Sequence, residues 1–262
     1  MYPPMGENDL LITASTTNYH MVVTGDIRIL SLLPGSFDDP IRSCLLTTSI
    51  EDFPRYDALS YMWGDPLITR PITLDDDMTF PVTESLESAL RHIRLESEIR
   101  YMWVDAVCID QNNIEERSNQ VNLMKEIYSR AKTVQVWLDV KLSSKMPSVR
   151  GLLALRAHSS CDDLGDDIGL WEPLIPLLRH PYWERVWVQR ELAFAQHIEF
   201  HCRGLMIPAA RLMTFQLLLH RKSSEGHHAL DSPNDWMRLR ERMAIDKAPS
   251  RQLAWWRKML AH

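Results

Sequence analysis

Apolar residues fall in short blocks along most of the chain, and their spacing switches between strand-like and helix-like several times. The densest block is residues 101–139, YMWVDAVCIDQNNIEERSNQVNLMKEIYSRAKTVQVWLD. Tyr101–Ile109 is nearly uncharged and rich in β-branched and aromatic residues, which predicts a strand buried on both faces. Asp110–Asn113 breaks it. Asn113 followed by Glu116 is a helix-start pattern, in which the cap side chain and the later carboxylate satisfy each other's amides. Val121, Met124, Tyr128 and Ala131 then give one apolar face, with Glu126 and Arg130 placed to pair on the wet side. Lys132 ends the helix, and Thr133–Leu138 reads as a second strand. So short a strand–helix–strand unit implies a parallel sheet with a right-handed crossover. Such sheets bind ligands at the carboxyl ends of their strands, where Asp110, Gln111 and Asp139 fall.

The same reading extends outward. Ile27–Leu33 and Ile41–Ser49 are predicted strands joined by the turn-rich segment 34–40, an N-terminal β-hairpin. Ala58–Met62 is a buried strand, and Gly64 lets the chain turn sharply after it. Trp63 and Asp65 are then placed at the strand's carboxyl edge, either to cover the sheet end and cap a turn or to contact a ligand; Tyr61 lies beside them. Ile72–Leu74 and Thr79–Val82 form a small hairpin with a solvated acidic tip at 75–77. Thr83 caps a helix whose apolar face is Leu86, Ala89, Leu90 and Ile93. Residues 141–170 turn polar and irregular. Their CDDLGDDIG segment suits a mobile surface loop better than a metal site, because its carboxylates lack ordered ligand spacing. A helix around 183–195 puts Trp187 and Glu191 on one face, and His197–Cys202 is another strand. Helices are expected over Ala209–His220, over Asp235–Met243 and at the C-terminal end. The divisions expected are a loose leader at 1–20, an α/β domain at 21–205 and a helical C-terminal extension at 206–262.

Composition narrows the function classes. A formal charge of −6 over 262 residues gives no basic footprint for nucleic acid. Four cysteines without a CxxC pair fit a reduced, cytoplasmic protein better than a disulfide scaffold or zinc site. No apolar run is long enough to span a membrane, and the first residues lack a basic region followed by an apolar core, so no secretory signal is expected. The nine Trp and thirteen Met either fill a core or line a broad apolar pocket. No Ser–His–Asp set can be assembled, Ser60 lies in a strand rather than a nucleophile elbow, and the histidines show no metal-ligand repeat. Neither a metal nor a bound cofactor is expected, and a homo-oligomer is left open.

Three blocks carry a family resemblance. Residues 56–65, YDALSYMWGD, resemble the "Y-x-A-L-S-Y-x-W-G-D" block of the fungal heterokaryon-incompatibility (HET) domain. Trp103, Asp105, Ala106, Cys108, Ile109, Gln111, Glu116, Arg117, Gln120, Val121, Met124, Ile127, Tyr128, Ala131, Val134, Trp137 and Leu138 match its longest block. Tyr182, Trp183, Arg185, Trp187, Glu191 and Ala195 match a third. The family also opens with an "I-R-x-L-x-L-x-P-G" strand like that at 27–35. Asp139 stands where the family usually has Gly, and Arg190 where it usually has Gln. The resemblance covers about residues 27–205.

HET domains have been likened to TIR domains. The resemblance therefore implies an α/β fold with a TIR-like or flavodoxin-like parallel sheet flanked by helices. In enzymatic TIR domains, a glutamate at the position matched by Glu191 acts on the ribose while the nicotinamide bond of NAD is cleaved. The alternative is that Glu191 pairs with an arginine and holds the fold. Three functions follow. One is a cell-death or allorecognition module, with NAD as substrate and Glu191 as the catalytic group. Another is a non-catalytic interaction module. The preferred expectation is a stand-alone enzyme of fungal secondary metabolism that cyclises an apolar small molecule without a cofactor, by a Diels–Alder or similar pericyclic reaction. It draws on the absence of the family's usual long downstream region, the Trp/Met load and the two departures. Arg190, Arg185, Tyr61 or a Trp N–H would then donate to the substrate carbonyl. The combined candidate site is Glu191 and Arg190 as catalytic residues, with Tyr61, Trp63, Asp65, Asp110, Gln111, Arg185 and Trp187 binding substrate.

Overall fold

A computed structural model of the chain describes residues 25–52, 55–75 and 78–225. The expected leader at 1–20, the helix at 235–243 and the C-terminal helix lie outside the described residues. The described chain is α/β, with nine strands and flanking helices. It divides into two units. The first runs through Trp137 and takes up the chain again at Arg190–Ile198, and the second holds Leu138–Gln189 and the chain from Glu199 onward.

The first unit is built on a mixed sheet. Its strands are β1 (Asp26–Leu32), β2 (Arg42–Ser49), β3 (Asp57–Ser60), β4 (Thr69–Leu74), β5 (Met78–Thr83), β6 (Arg100–Trp103) and β7 (Thr133–Lys141), the last continuing into the second unit. They lie in the order β5-β4-β2-β1-β6-β3-β7. β3 pairs in parallel with both β6 and β7. The sheet is not parallel throughout, as the strand–helix–strand reading expected. β1 and β2 pair antiparallel along their whole length, and β1 also pairs antiparallel with β6. The physical reason lies in β1, which is buried from Ile27 to Leu32. A strand buried on both faces and bonded on both edges belongs inside a sheet, so the predicted hairpin is part of this sheet rather than an appendage.

Helix α1 (Glu84–Ile93) begins where expected. Thr83 accepts a bond from the Leu86 amide at 3.3 Å, and Leu86, Ala89, Leu90 and Ile93 are the buried face. The predicted strand at 101–109 is corrected: β6 stops at Trp103, and Asp105–Cys108 forms a single helical turn, α2. Asp105 accepts from the Ala106 amide at 2.7 Å and so starts that turn. A short buried apolar run carries no periodicity that separates strand from helix.

Helix α3 (Ile114–Arg130) is capped as predicted on one side only. Asn113 accepts from the Glu116 amide at 3.1 Å, but the Glu116 carboxylate turns inward instead of returning to Asn113. Glu116, Gln120, Met124, Ile127 and Tyr128 are its buried residues, and Val121 is half-buried. Glu126 and Arg130 pair at 2.9 Å on the outer face. The hairpin tip is also less solvated than expected, because Asp75 accepts from the Leu45 amide at 2.9 Å; Asp76 and Asp77 lie outside the described residues.

The second unit corrects the reading of 141–170. That stretch holds helix α4 (Pro147–Ala154) and a turn of 3-10 helix at Cys161–Leu164, followed by α5 (Ile175–Leu178). Trp171 organises it: fully buried, it donates to the Leu164 carbonyl at 2.9 Å and packs against Phe215 at 4.9 Å between ring centres. Gly151 makes room for it, since a Cβ there would stand 2.8 Å from the indole. The segment's polar residues hid these anchors. Helix α6 (Val186–Phe194) passes from the second unit into the first. The hairpin of β8 (Ile198–Arg203) and β9 (Leu205–Pro208) follows, and α7 (Ala209–Glu225) runs a turn beyond the predicted helix at 209–220.

Candidate functional site at the carboxyl end of the parallel strands

Within the first unit, the loops that leave β3 and β6 emerge side by side, because those strands pair in parallel with Ala58 opposite Trp103. Gly64 shapes the β3 loop. Its φ is +78°, and a Cβ would lie 3.1 Å from that of Ser85. Ser85 in turn donates to the Met62 carbonyl at 2.6 Å, which fastens the loop to the start of α1. The loop then presents Trp63, half-buried, whose indole N–H donates to the Asp105 carboxylate at 2.9 Å. Gln111 braces the other side of Asp105, donating to its carbonyl at 2.9 Å. Trp63, Asp105 and Gln111 therefore tie the two strand-end loops together. Asp105 matches a family block in the sequence but is not among the expected site residues, although an acid between Val104 and Ala106 in an apolar run is a readable signal.

This edge also holds a buried carboxylate. Glu191, on α6, is 7% exposed, and Ser60, the last residue of β3, is 1% exposed. The Ser60 hydroxyl donates to Glu191 Oε2 in a short hydrogen bond. Ser60 stands opposite Val136 of β7, so the contact is made from the carboxyl end of β3, a strand flanked on both sides by parallel partners. Tyr61 follows it and is buried. Strand alternation alone placed Ser60 correctly but could not show what its hydroxyl would meet, since Glu191 is 131 residues away in sequence.

The remaining predicted residues divide. Asp65 is exposed and accepts from the Leu67 amide at 2.9 Å, which makes it a turn former. Asp110 accepts from the Asn112 amide at 3.0 Å, again a local turn. Arg185 and Trp187 are half-buried and belong to the second unit, whereas Arg190 and Glu191 belong to the first. The Arg190 side chain lies outside the described residues. Asp139, at the position of the family's Gly, forms a two-point pair with Arg203 at 2.5 and 2.9 Å in the second unit.

Several motif residues do structural work instead. Arg28 is buried and donates to the Cys108 carbonyl at 3.0 Å and to both oxygens of Glu116, at 2.5 and 3.1 Å. Glu116 also accepts from the Asp110 amide at 2.8 Å. Gln120 donates to the Asp26 carbonyl, Tyr56 to that of Ile127 and Tyr128 to that of Leu59. Burial pushes the Cys108 thiol up to about 12, so it stays protonated at neutral pH and is no nucleophile. Among the described residues no cluster of His, Cys, Asp and Glu could hold a metal, and no helix is long and apolar enough to cross a membrane.

The family model described as heterokaryon incompatibility protein (HET) matches residues 56–191, just over half of the chain. Over 180 residues the chain is 33% identical to "Heterokaryon incompatibility protein 6, OR allele" of Neurospora crassa. That alignment covers 61% of this chain and 26% of the relative, so the chain matches about a quarter of the relative's length. No solved structure matches it. The family match begins just ahead of β3 and ends at Glu191, and on it the chain belongs to the heterokaryon-incompatibility (HET) family.

Proposed function

We propose that this chain is a heterokaryon-incompatibility module acting in allorecognition, and that its chemical step is TIR-like cleavage of NAD by Glu191. The observation that carries this reading is the buried Glu191 carboxylate, held by Ser60 at the carboxyl end of β3. The order β6-β3-β7, all parallel, is the 2-1-3 order that opens a flavodoxin-like sheet, in which ligands sit at the carboxyl edge beside the first strand. Cleavage of the nicotinamide–ribose bond places positive charge on the sugar. A fixed carboxylate stabilises that charge while water adds to the anomeric carbon and neutral nicotinamide leaves. The products are ADP-ribose, nicotinamide and one proton.

The cyclisation reading needs a donor aimed into an apolar pocket. Arg190, Arg185, Tyr61 or a Trp N–H would supply it, and no observation among the described residues favours that arrangement. The test is nicotinamide release from NAD by the purified chain, followed by chromatography. Glu191→Gln is expected to lower turnover by roughly a thousandfold, the scale of losing a main electrostatic stabiliser, while the protein stays folded. Full turnover in that variant would remove Glu191 from the chemistry. Equal inactivity of both proteins would leave the family's recognition role without this reaction.

A further inference from the structure

Ser60 is a buried polar residue at this edge, 1% exposed. It ends a strand that is bonded on both sides, stands opposite Val136 and is flanked by the buried Leu59 and Tyr61. A serine at a strand end commonly turns its hydroxyl to a nearby backbone group. This one reaches the carboxylate of Glu191. We infer that Ser60 is the positioning residue of Glu191, a role that rests on the reading of Glu191 as the NAD-cleaving carboxylate.

A glutamate carboxylate swings on three rotatable bonds, and a charge stabiliser works only when fixed before the reaction begins. Ser60 pins one oxygen from a strand that cannot move without unzipping two ladders, and so sets where the other oxygen points.

The experiment measures kcat and KM for NAD in the wild-type chain, Ser60→Ala, Ser60→Cys and Ser60→Thr, each checked by urea unfolding. Ser60→Ala is expected to lower kcat about 10- to 100-fold, the range of a lost hydrogen bond to a charged group, with KM changed less than about threefold. Ser60→Cys, close in size but a weak donor, should stay near the alanine level. Ser60→Thr, which keeps the hydroxyl, should recover most of the rate. Wild-type kcat in folded Ser60→Ala or Ser60→Cys overturns the inference while Glu191 keeps its role. A folded Ser60→Thr no better than alanine overturns it as well. Absence of nicotinamide release from the wild-type chain removes the NAD reading itself, and with it any positioning role. A double-mutant cycle of Ser60→Ala with Glu191→Gln in urea then reports whether the pair only supports the fold.

Discussion

Two buried glutamates of the first unit, Glu116 and Glu191, are about equally hidden and yet differently placed. Glu116 meets a two-point guanidinium fork from β1 and a backbone amide from the loop before α3. Glu191 meets a strand-end hydroxyl at the carboxyl edge of the parallel strands. Both belong to recognisable motifs, so motif membership does not separate them. Their partners do. A carboxylate locked by arginine in the interior has its charge neutralised, and its main consequence is where β1, α2 and α3 sit relative to one another. A carboxylate held by a strand-end hydroxyl is, under the proposed function, the one placed to act on a substrate.

The sharpest way to break this contrast is to remove one partner from each pair. Arg28→Met leaves Glu116 buried with its cation gone, and should cost about 3–5 kcal/mol, the usual penalty for an uncompensated buried charge. Urea unfolding of the purified chain measures it. Glu191→Gln should cost clearly less stability while abolishing NAD cleavage. If Arg28→Met is as stable as wild type, Glu116 is not held by that fork and its assignment as structural fails. Replacing both partners, Arg28→Met with Glu116→Leu, should restore much of the lost stability, because two well-packed apolar groups need no compensation.

The next effect concerns the bridge between the loops. Asp105→Asn keeps the shape but weakens acceptance from the Trp63 indole, and should cost about 1 kcal/mol, a typical net hydrogen bond. If Trp63 forms part of the substrate site, KM for NAD should rise in this variant with kcat little changed. Unchanged KM, together with lost stability, would make the bridge a fastening of the sheet edge alone.

These contrasts mark what the sequence could and could not disclose. Helix α1 was legible to its cap and its four buried residues, because capping and period-3.6 spacing are local. The hairpin strands and the cores of β3 and β7 were legible from local apolar runs, whereas the placement of β3 between β6 and β7 was not. The mixed character of the sheet was not, since antiparallel pairing of β1 with β6 joins residues about 70 apart and leaves no local pattern. Trp63 and Gln111 were legible as strand-end residues. Ser60 was seen but set aside, and Arg28 and Asp105 were matched to motifs without a role, because each depends on a partner that only the fold supplies. Asp65 and Asp110 misled in the opposite sense: an acid after a strand is as often a turn former as a ligand contact, and here both serve turns.

The smallest effect belongs to a third carboxylate, Asp139. It departs from the family's glycine and invited a functional reading at the end of β7. Its pair with Arg203 is well formed, but Arg203 is 52% exposed and Asp139 39%. Ion pairs in such settings contribute about 0.2–1 kcal/mol and weaken with salt. Asp139→Asn is therefore expected to lower stability by less than about 1 kcal/mol, with the loss shrinking at high ionic strength, and to leave NAD turnover unchanged. Asparagine is preferred to glycine because it isolates the charge from the added backbone freedom. A double-mutant cycle with Arg203→Ala, run at low and high salt, measures the pair directly. A large drop in turnover would give Asp139 the kind of role argued for Glu191, and would show that partner and exposure do not suffice to tell a supporting carboxylate from an acting one.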